Sequence, residues 1–273
     1  MTPRQRPGLL LRLAGPLQSW GEHSHFNERD TAAFPTRSGI IGLLASALGR
    51  QRGQPIDDLA GLSLTIRVDR PGAVLNDLHT VGGGLPARAT VTTAEGKKRT
   101  GDTGTLLTHR AYLADAAFTV ALTGDTTLLH ETRGALAAPH WPPYLGRRSC
   151  PPEGPLLLGQ ADDALHHLVH LPIAAAQPPT GHTKITFLGD QPLDQLPAPT
   201  VNPRPHDGAH PVSTVNDQPL TFDPRHRSHR SRPLYRRTLH LPAEQHSGLG
   251  IAHLESLTTY INTHLKTAER SGR

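Results

Sequence analysis

The stretch that decides the fold begins with Gly8-Leu9-Leu10-Leu11-Arg12-Leu13-Ala14-Gly15-Pro16. A short apolar run rich in leucine is typical of a buried strand. The Gly-Pro pair that follows is a signal for the end of a strand. We therefore expect a core strand that stops at Pro16 and continues into a loop containing Leu17-Gln18-Ser19-Trp20-Gly21.

The second half of this stretch predicts a capped helix. After Phe34-Pro35 the chain reads Thr36-Arg37-Ser38-Gly39 and then Ile40-Ile41-Gly42-Leu43-Leu44-Ala45-Ser46-Ala47-Leu48-Gly49. The apolar residues recur at helical spacing, and either Thr36 or Ser38 can cap the first turn. Gly49 is then the residue at which the helix ends.

The start of this helix is a candidate anion site. Free backbone N–H groups and the positive end of the helix dipole meet there, together with Arg37 and the hydroxyls of Thr36 and Ser38. Such a site suits a phosphate. The alternative interpretation is an ordinary capped helix with a solvated arginine.

Composition narrows the function classes. The chain has 273 residues, a formal net charge of +5 and a pI of about 9.8, which favours an acidic partner such as nucleic acid. The single cysteine, Cys150, excludes an internal disulfide and a cysteine-rich zinc module. No stretch approaches the ~20 apolar residues of a membrane span, so we expect a cytoplasmic protein without a membrane partner.

The low aromatic content limits how RNA could be bound. Phe, Trp and Tyr make up 4% of the residues, and no strand carries the aromatic pattern of an RNA-recognition sheet. Any bound RNA would be held mainly through its backbone and a few special residues.

The next elements predict an α+β fold. Strands are expected at Leu62 to Asp69, Leu106 to Tyr112, Ala117 to Leu122 and Leu156 to Gly159, with a helix capped by Asp125 that runs through Ala137. Pro71 to Gly104 reads as a long irregular insert. The order strand, helix, strand, insert, strand, helix, strand matches a ferredoxin-like βαββαβ arrangement, over residues 1–171.

The C-terminal part is richer in proline. Residues 172–241 predict a β region with strands at Thr183 to Leu188, Pro211 to Phe222 and Leu234 to Leu241. The basic run from Arg225 to Arg232 is either a solvated, mobile turn or an arm that contacts phosphates. Residues 242–273 predict a helical or mobile tail, helical from Leu249 to Leu265 with a weak cap at Ser247.

Catalytic and metal signals are sparse. The histidines at positions 23 and 25, and at 166, 167 and 170, have ligand-like spacing but no matching carboxylate or cysteine set, so no metal or other cofactor is predicted. Metal-free RNA cleavage is the serious catalytic alternative. It would use His79 or His109 as general acid or base and Arg110 to stabilise the developing charge.

Five sequence blocks follow one another in order: Leu11 to Gly21, Phe34 to Gly39, Asp77 to Val81, Arg110 to Leu122 and Pro143 to Pro151. A weaker match follows at Asp217-Gln218-Pro219-Leu220 and around Tyr235. Together the blocks resemble the CasD family, the "Cas five" RAMP-superfamily subunit of the type I-E CRISPR-Cas complex Cascade. The five blocks span about 150 residues, which makes the match specific.

The resemblance implies a ferredoxin-like palm with a β-rich thumb at about residues 76–112. Members of this family hold the 5′ handle of the CRISPR RNA (crRNA), cap the filament of CasC backbone subunits and contact the large subunit CasA, which reads target DNA. The chain would therefore meet target DNA only through the complex. In subtype I-E a separate subunit cuts the precursor RNA, so the resemblance implies a non-catalytic role in antiviral defence.

The resemblance also assigns roles to residues. It assigns Arg37 and Ser38 to binding of the 5′ handle and Arg110 to a position on the thumb near the handle. It assigns Arg147 and Arg148 to contact with RNA or with another subunit. Trp20 is the strongest stacking candidate, or else a buried anchor of the first loop. His109 stands where the family has an aromatic residue. Two further residues of these motifs, Thr36 and His79, complete the candidate RNA-binding set.

Two other function classes compete with this scaffold interpretation. One is a metal-independent endoribonuclease that cuts the CRISPR repeat, as a related subtype I-C branch does. The other is a protein–protein adaptor whose basic surface only balances the charge of its neighbours.

Overall fold

The computed structural model describes residues 6–265 except 22–23, 26, 83, 93–95, 99–103, 179–180, 195 and 198–206. The strands in chain order are β1 (Gly8–Ala14), β2 (Leu17–Gln18), β3 (Ser24–His25), β4 (Glu28–Arg29), β5 (Ser63–Arg70), β6 (Ala73–Val81), β7 (Leu106–Ala114), β8 (Ala117–Thr123), β9 (Leu157–Ala161), β10 (His182–Gly189), β11 (Pro211–Thr221) and β12 (Ser228–Pro242). The helices are α1 (Arg37–Ala47), α2 (Thr126–Ala137), α3 (Ala164–His170) and α4 (Gly250–His264). The fold is α+β, as the sequence predicts.

One antiparallel sheet of seven strands forms the centre of the molecule. Its strand order is β11-β12-β10-β5-β8-β1-β9. Strand β1 lies between β8 and β9 and is buried along its whole length, which explains why it reads as an unbroken apolar run. The three C-terminal strands extend this same sheet, because β10 pairs with β5.

The sheet divides the core in two, and helices cover both of its faces. Leu9, Leu11 and Leu13 point to the face covered by α1 and α2, while Leu10 points to the face covered by α3 and α4. All four leucines are fully buried. Burying each such side chain contributes about 1.5–3 kcal/mol, so β1 stabilises both halves of the core.

The helix signals read from the sequence are confirmed. Thr36 is the N-cap of α1 and its hydroxyl accepts from the N–H of Gly39, while Asp125 caps α2 by accepting from Leu128. Gly49 follows α1 with a φ of +74°, a conformation that favours glycine.

A second, smaller sheet projects from the first. Strands β6 and β7 form an antiparallel hairpin, and β2 and β4 also pair with β7. The prediction of an irregular insert from Pro71 is wrong for β6. Its side chains are mostly exposed on both faces, so the strand shows no alternation of apolar and polar residues that could reveal it.

The C-terminal region differs from its prediction in three places. The basic run becomes strand from Ser228, so β12 starts before the predicted Leu234. Helix α3 is absent from the prediction because its seven residues include three histidines and are too few to show a helical period. Helix α4 is present, but Leu249 rather than Ser247 is its N-cap.

None of the helices among the described residues is both long enough and apolar enough to cross a bilayer.

Candidate nucleic-acid interface

A cleft of about 390 Å³ opens at the start of α1. Three segments that are distant in sequence form its walls: the loop after β2, the loop before β9, and the ribbon formed by β11 and β12. It is lined by Ser19, Trp20, Gly21, Arg29, Asp30, Thr36, Ser38, Gly39, Gly146, Arg147, Asn216, Asp217, Arg227 and His229.

Trp20 forms part of the base of the cleft and is an anchor. Its side chain is 1% exposed, and its indole N–H donates to Oε1 of Gln18 at 2.9 Å. The Gln18 amide in turn donates to the carbonyls of Leu13 and Ala116. A Cβ on Gly39 would lie 2.8 Å from the indole ring, so helix and ring pack without a gap. This burial favours the anchor over the stacking alternative.

Arg37 points inward, and the expectation of a free guanidinium at the helix start is wrong. The residue is 4% exposed. Its Nη1 pairs with Asp190, and its Nη2 donates to the carbonyls of Ala60 and Leu62. Burial lowers the pKa of Arg37 and raises that of Asp190, while the attraction between the two charges opposes both shifts. Arg37 therefore fastens the helix to the core.

The protein's own Asp217 occupies the anion position predicted at this helix. Its Oδ2 accepts from the backbone N–H of Arg37 at 2.7 Å. The same carboxylate takes a two-point ion pair from Arg232, at 2.6 Å from Nε and 2.9 Å from Nη2. Asp217 is 2% exposed and Arg232 is 8% exposed. The start of α1 is thus already neutralised from within the chain.

Arg147 holds the loop before β9 against the hairpin. Its guanidinium donates to the carbonyls of Ala111, Arg29 and Asp30 at 3.1–3.2 Å and lies over the ring of Tyr112. These partners are neutral groups, so the bonds fix the side chain without removing its charge. Arg148, the next residue, is exposed.

Gly146 permits this loop to reach the cleft. The N–H of Ser19 donates to the carbonyl of Leu145 at 3.0 Å, which brings the two loops together. Gly146 has a φ of +87°, and a Cβ there would overlap the carbonyl oxygen of Ser19. Only glycine satisfies both the left-handed conformation and the close approach.

The ribbon adds positive charge to the mouth of the cleft. Arg227 is exposed and lies over the ring of Phe222, 5.9 Å from its centroid. Partial burial and the nearby charge of Arg52 lower the pKa of Arg227. Burial and the charge of Arg227 lower the pKa of His229. Crowding of like charges at this point favours an anionic ligand.

Arg110 and His79 lie outside the cleft, on one face of the hairpin. Arg110 is paired with Asp77, and His79 with Thr108, so their side chains share a face with Tyr112. Arg110 Nε donates to the Thr108 hydroxyl at 3.2 Å, and His79 Nδ1 is 3.4 Å from the Asp77 carboxylate. Through Tyr112 and Arg147 this face is continuous with the cleft.

His109 and Arg110 are neighbours on β7 and therefore point to opposite faces of the hairpin. A catalytic site that combined His109 with Arg110 would therefore need the RNA to reach both faces of the hairpin.

The structure brings four of the predicted site residues into one cleft: Trp20, Thr36, Ser38 and Arg147. It places Arg37 beneath the cleft. The residues that the ribbon contributes are absent from the predicted set. Two sequence features could have indicated them: the weaker family match at Asp217-Gln218-Pro219-Leu220 and the basic run from Arg225 to Arg232. The ribbon residues are Asn216, Asp217, Arg227 and His229.

A second cleft, of about 370 Å³, lies beside α3 and α4 and includes Asp163, His166, His167 and His264. Among the residues that the structure describes, no group of three or more His, Cys, Asp or Glu side chains has a geometry that could hold a metal ion. His23, named above for its spacing, lies outside the described residues.

The chain is similar to known proteins over most of its length. The family described as CRISPR-associated protein (Cas_Cas5) matches residues 8–235. The "CRISPR system Cascade subunit CasD" of Escherichia coli (strain K12) is 38% identical over 208 residues, which cover 70% of this chain and 91% of that protein.

Two solved structures are also similar. A chain of a "CRISPR RNA-guided surveillance complex" is 40% identical with a TM-score of 0.79, over 93% of this chain and 99% of that one. A chain from a "Crystal structure of Cas protein" is 31% identical with a TM-score of 0.57, over 89% and 99%. The resemblance drawn from the sequence motifs is confirmed, and this chain belongs to the Cas5 family of CRISPR-associated proteins.

Proposed function

We propose that this chain is a non-catalytic crRNA-binding subunit of a type I-E Cascade complex, and that the cleft at the start of α1 holds the 5′ handle of the crRNA. The family membership and the 38% identity to a protein named as a Cascade subunit support this role. So does the similarity to a chain of an RNA-guided surveillance complex.

The observation that carries the proposal is the way the cleft is built. Its base is fixed and neutralised by two buried ion pairs, Arg37 with Asp190 and Arg232 with Asp217. Its mouth is cationic, with Arg227 close to Arg52. A rigid polar cleft with a cationic mouth suits a splayed single-stranded nucleotide whose phosphates stay at the surface.

The candidate residues then divide by role. Thr36 and Ser38 offer hydroxyls inside the cleft, and Arg147 offers a fixed positive charge on its wall. Arg110, His79 and the exposed Arg148 would follow the RNA beyond the cleft, along the hairpin and the adjoining loop. Trp20 and Arg37 act from below, by fixing the shape of the cleft.

The fold suggests how this subunit is organised. The elements β1-α1-β5-β8-α2-β9 have the sheet order β5-β8-β1-β9 with both helices in one core, which is the pattern of a ferredoxin-like palm. We infer that residues 1–171 form this palm, with the β6–β7 hairpin as the thumb. Residues 172–241 extend its sheet, and 242–273 form a tail. Contacts with CasC and CasA, and a cytoplasmic location, follow from the same proposal.

Binding of a labelled crRNA with its 5′ handle to the full chain tests the proposal. The log–log salt slope should be about −0.7 for each single-strand phosphate that is neutralised. Arg227→Ala should reduce the steepness of that slope by about 0.7. Lys184→Ala is the matched control, because it removes one exposed charge at the far end of β10, opposite His240, and should leave the slope unchanged. A flat salt response, or equal competition by an RNA without the handle, would contradict the proposal.

A further inference from the structure

Four buried charges join the ribbon to the rest of the protein directly beneath the cleft. We refer to Arg37, Asp190, Asp217 and Arg232 as the buried charge network. Arg37 lies at the start of α1, Asp190 directly after β10, Asp217 on β11 and Arg232 on β12. The side chains of all four are at most 8% exposed.

Asp217 is the link between the two halves of this network. It accepts from the main-chain N–H of Arg37, 180 residues away, and from both Nε and Nη2 of Arg232 on the neighbouring strand. Each of its oxygens is therefore used. A carboxylate in the lining of a cationic cleft would normally repel phosphate, but here the helix start and a guanidinium neutralise it.

The ribbon carries its exposed cations close to this link. Arg230 is two residues from Arg232 on β12, and Arg227 lies just before the strand begins. The register between β11 and β12 shifts between Val215 and Gln218, on either side of Asp217. Irregular pairing weakens the ladder at this point, so the side-chain link has to set where the end of the ribbon lies.

We propose that Asp217 is a positioning residue of the RNA site: by pairing with Arg232 and the start of α1, it holds the ribbon so that Arg227 and Arg230 face the bound RNA. This inference rests on the proposed function. It assigns no RNA contact to Asp217, and it predicts that losing this negative charge weakens RNA binding.

The sign of that prediction separates it from a simple charge effect. Asp217→Asn raises the net charge of the protein by one, and general electrostatics would make RNA bind more tightly. Positioning predicts the reverse. The amide keeps one acceptor oxygen but turns an NH2 group towards Nε or Nη2 of Arg232, so the charged, two-point pair with Arg232 is lost. We expect the dissociation constant to rise about tenfold as the ribbon's phosphate contacts are lost.

The experiment measures crRNA affinity and its salt slope for the full chain and its variants, at a temperature where circular dichroism shows each one to be folded. Asp217→Asn should weaken binding and reduce the steepness of the slope by about 0.7–1.4, which corresponds to one or two phosphates. A purely structural role would lower stability and leave the slope unchanged. Glu255→Gln, an exposed change on α4 with the same gain in charge, should not weaken binding.

Other outcomes are equally informative. Unchanged or tighter binding by folded Asp217→Asn overturns the inference, and if Arg227→Ala still weakens binding, the proposed function survives. If the wild-type chain binds no crRNA, the proposed function itself fails. If Asp217→Asn does not fold, Arg232→Lys provides the same readout, because it keeps the charge of the pair but loses its two-point geometry. A slope equal to that of the wild type would then contradict the inference.

Discussion

The guanidinium of Arg147 lies over the ring of Tyr112, with 4.6 Å between Cζ and the ring centroid. One residue comes from the loop before β9 and the other from β7. The contact therefore joins the wall of the cleft to the hairpin. Because the same guanidinium also donates to three backbone carbonyls, Arg147 fixes how the hairpin projects from the central sheet.

Arg147→Ala should destabilise the protein by about 1–3 kcal/mol, because it removes these hydrogen bonds and the cation–π contact. Urea unfolding followed by circular dichroism measures the change. Arg148→Ala is the matched control: it removes an exposed arginine from the adjacent position and should change stability by less than about 0.5 kcal/mol. Equal effects of the two substitutions would mean that the contacts of Arg147 do not stabilise the fold.

Gly146→Ala should cost about 3 kcal/mol or more. The new methyl group would meet the carbonyl of Ser19, and the residue would have to keep a φ of +87°. Gly134→Ala is the control, and we expect it to change stability in the opposite direction. Gly134 lies within α2 with open space around it, so alanine there should stabilise by about 0.4–1 kcal/mol. A Gly146→Ala protein as stable as the wild type would show that the two loops separate without cost.

Because His253 is buried, we expect the protein to lose stability in acid. The residue is 3% exposed, and its Nδ1 lies 2.8 Å from the hydroxyl of Ser247. Burial and the charges of Arg12, Arg67 and Arg70 outweigh Asp69 and lower the pKa of His253 to about 4. Because the unfolded chain takes up the proton at a pH near 6.5, the free energy of unfolding should fall as pH drops from there towards 4. The loss should reach roughly 3 kcal/mol.

The substitution His253→Asn separates the effect of this histidine from that of the other groups that titrate in acid. His253→Asn keeps a polar atom near Nδ1 but cannot be protonated, so the difference in stability between pH 7.5 and pH 4 should shrink by roughly 3 kcal/mol. Chemical denaturation at several pH values measures it. A variant whose pH profile parallels that of the wild type would assign the acid sensitivity to other residues.

Arg37→Ala should damage the fold itself. It would leave the buried carboxylate of Asp190 without its ion pair, at a cost of about 3–5 kcal/mol. Arg230→Ala, an exposed substitution on β12, should cost less than about 0.5 kcal/mol. Thermal or urea unfolding of both variants gives the comparison. If Arg37→Ala were as stable as Arg230→Ala, the ion pair with Asp190 could not be what holds α1 to the core.

The sequence predicts this fold where the signal is local. The apolar run of β1, the cap at Thr36 and the cap at Asp125 all depend on residues within a few positions of one another, and all are confirmed. β6 is missed because it is exposed on both faces, and α3 because it is short.

The roles of Arg37 and Asp217 could not be read from the sequence, for a different reason. The Arg37 side chain pairs with Asp190 across 153 positions, and its backbone N–H donates to Asp217 across 180. Nothing within the motif around Arg37 indicates that acidic partners exist, so an arginine beside a helix start reads as a phosphate ligand. Once the sheet brings the partners together, the same arginine proves to be buried and paired.

The most direct test of the central claim mixes the full chain with labelled CRISPR repeat RNA in EDTA and resolves both the bound complex and any cleavage products. The account predicts a stable complex with uncut RNA that an excess of handle RNA displaces. A discrete cut that His79→Ala abolishes would contradict it and would identify the chain as a processing nuclease.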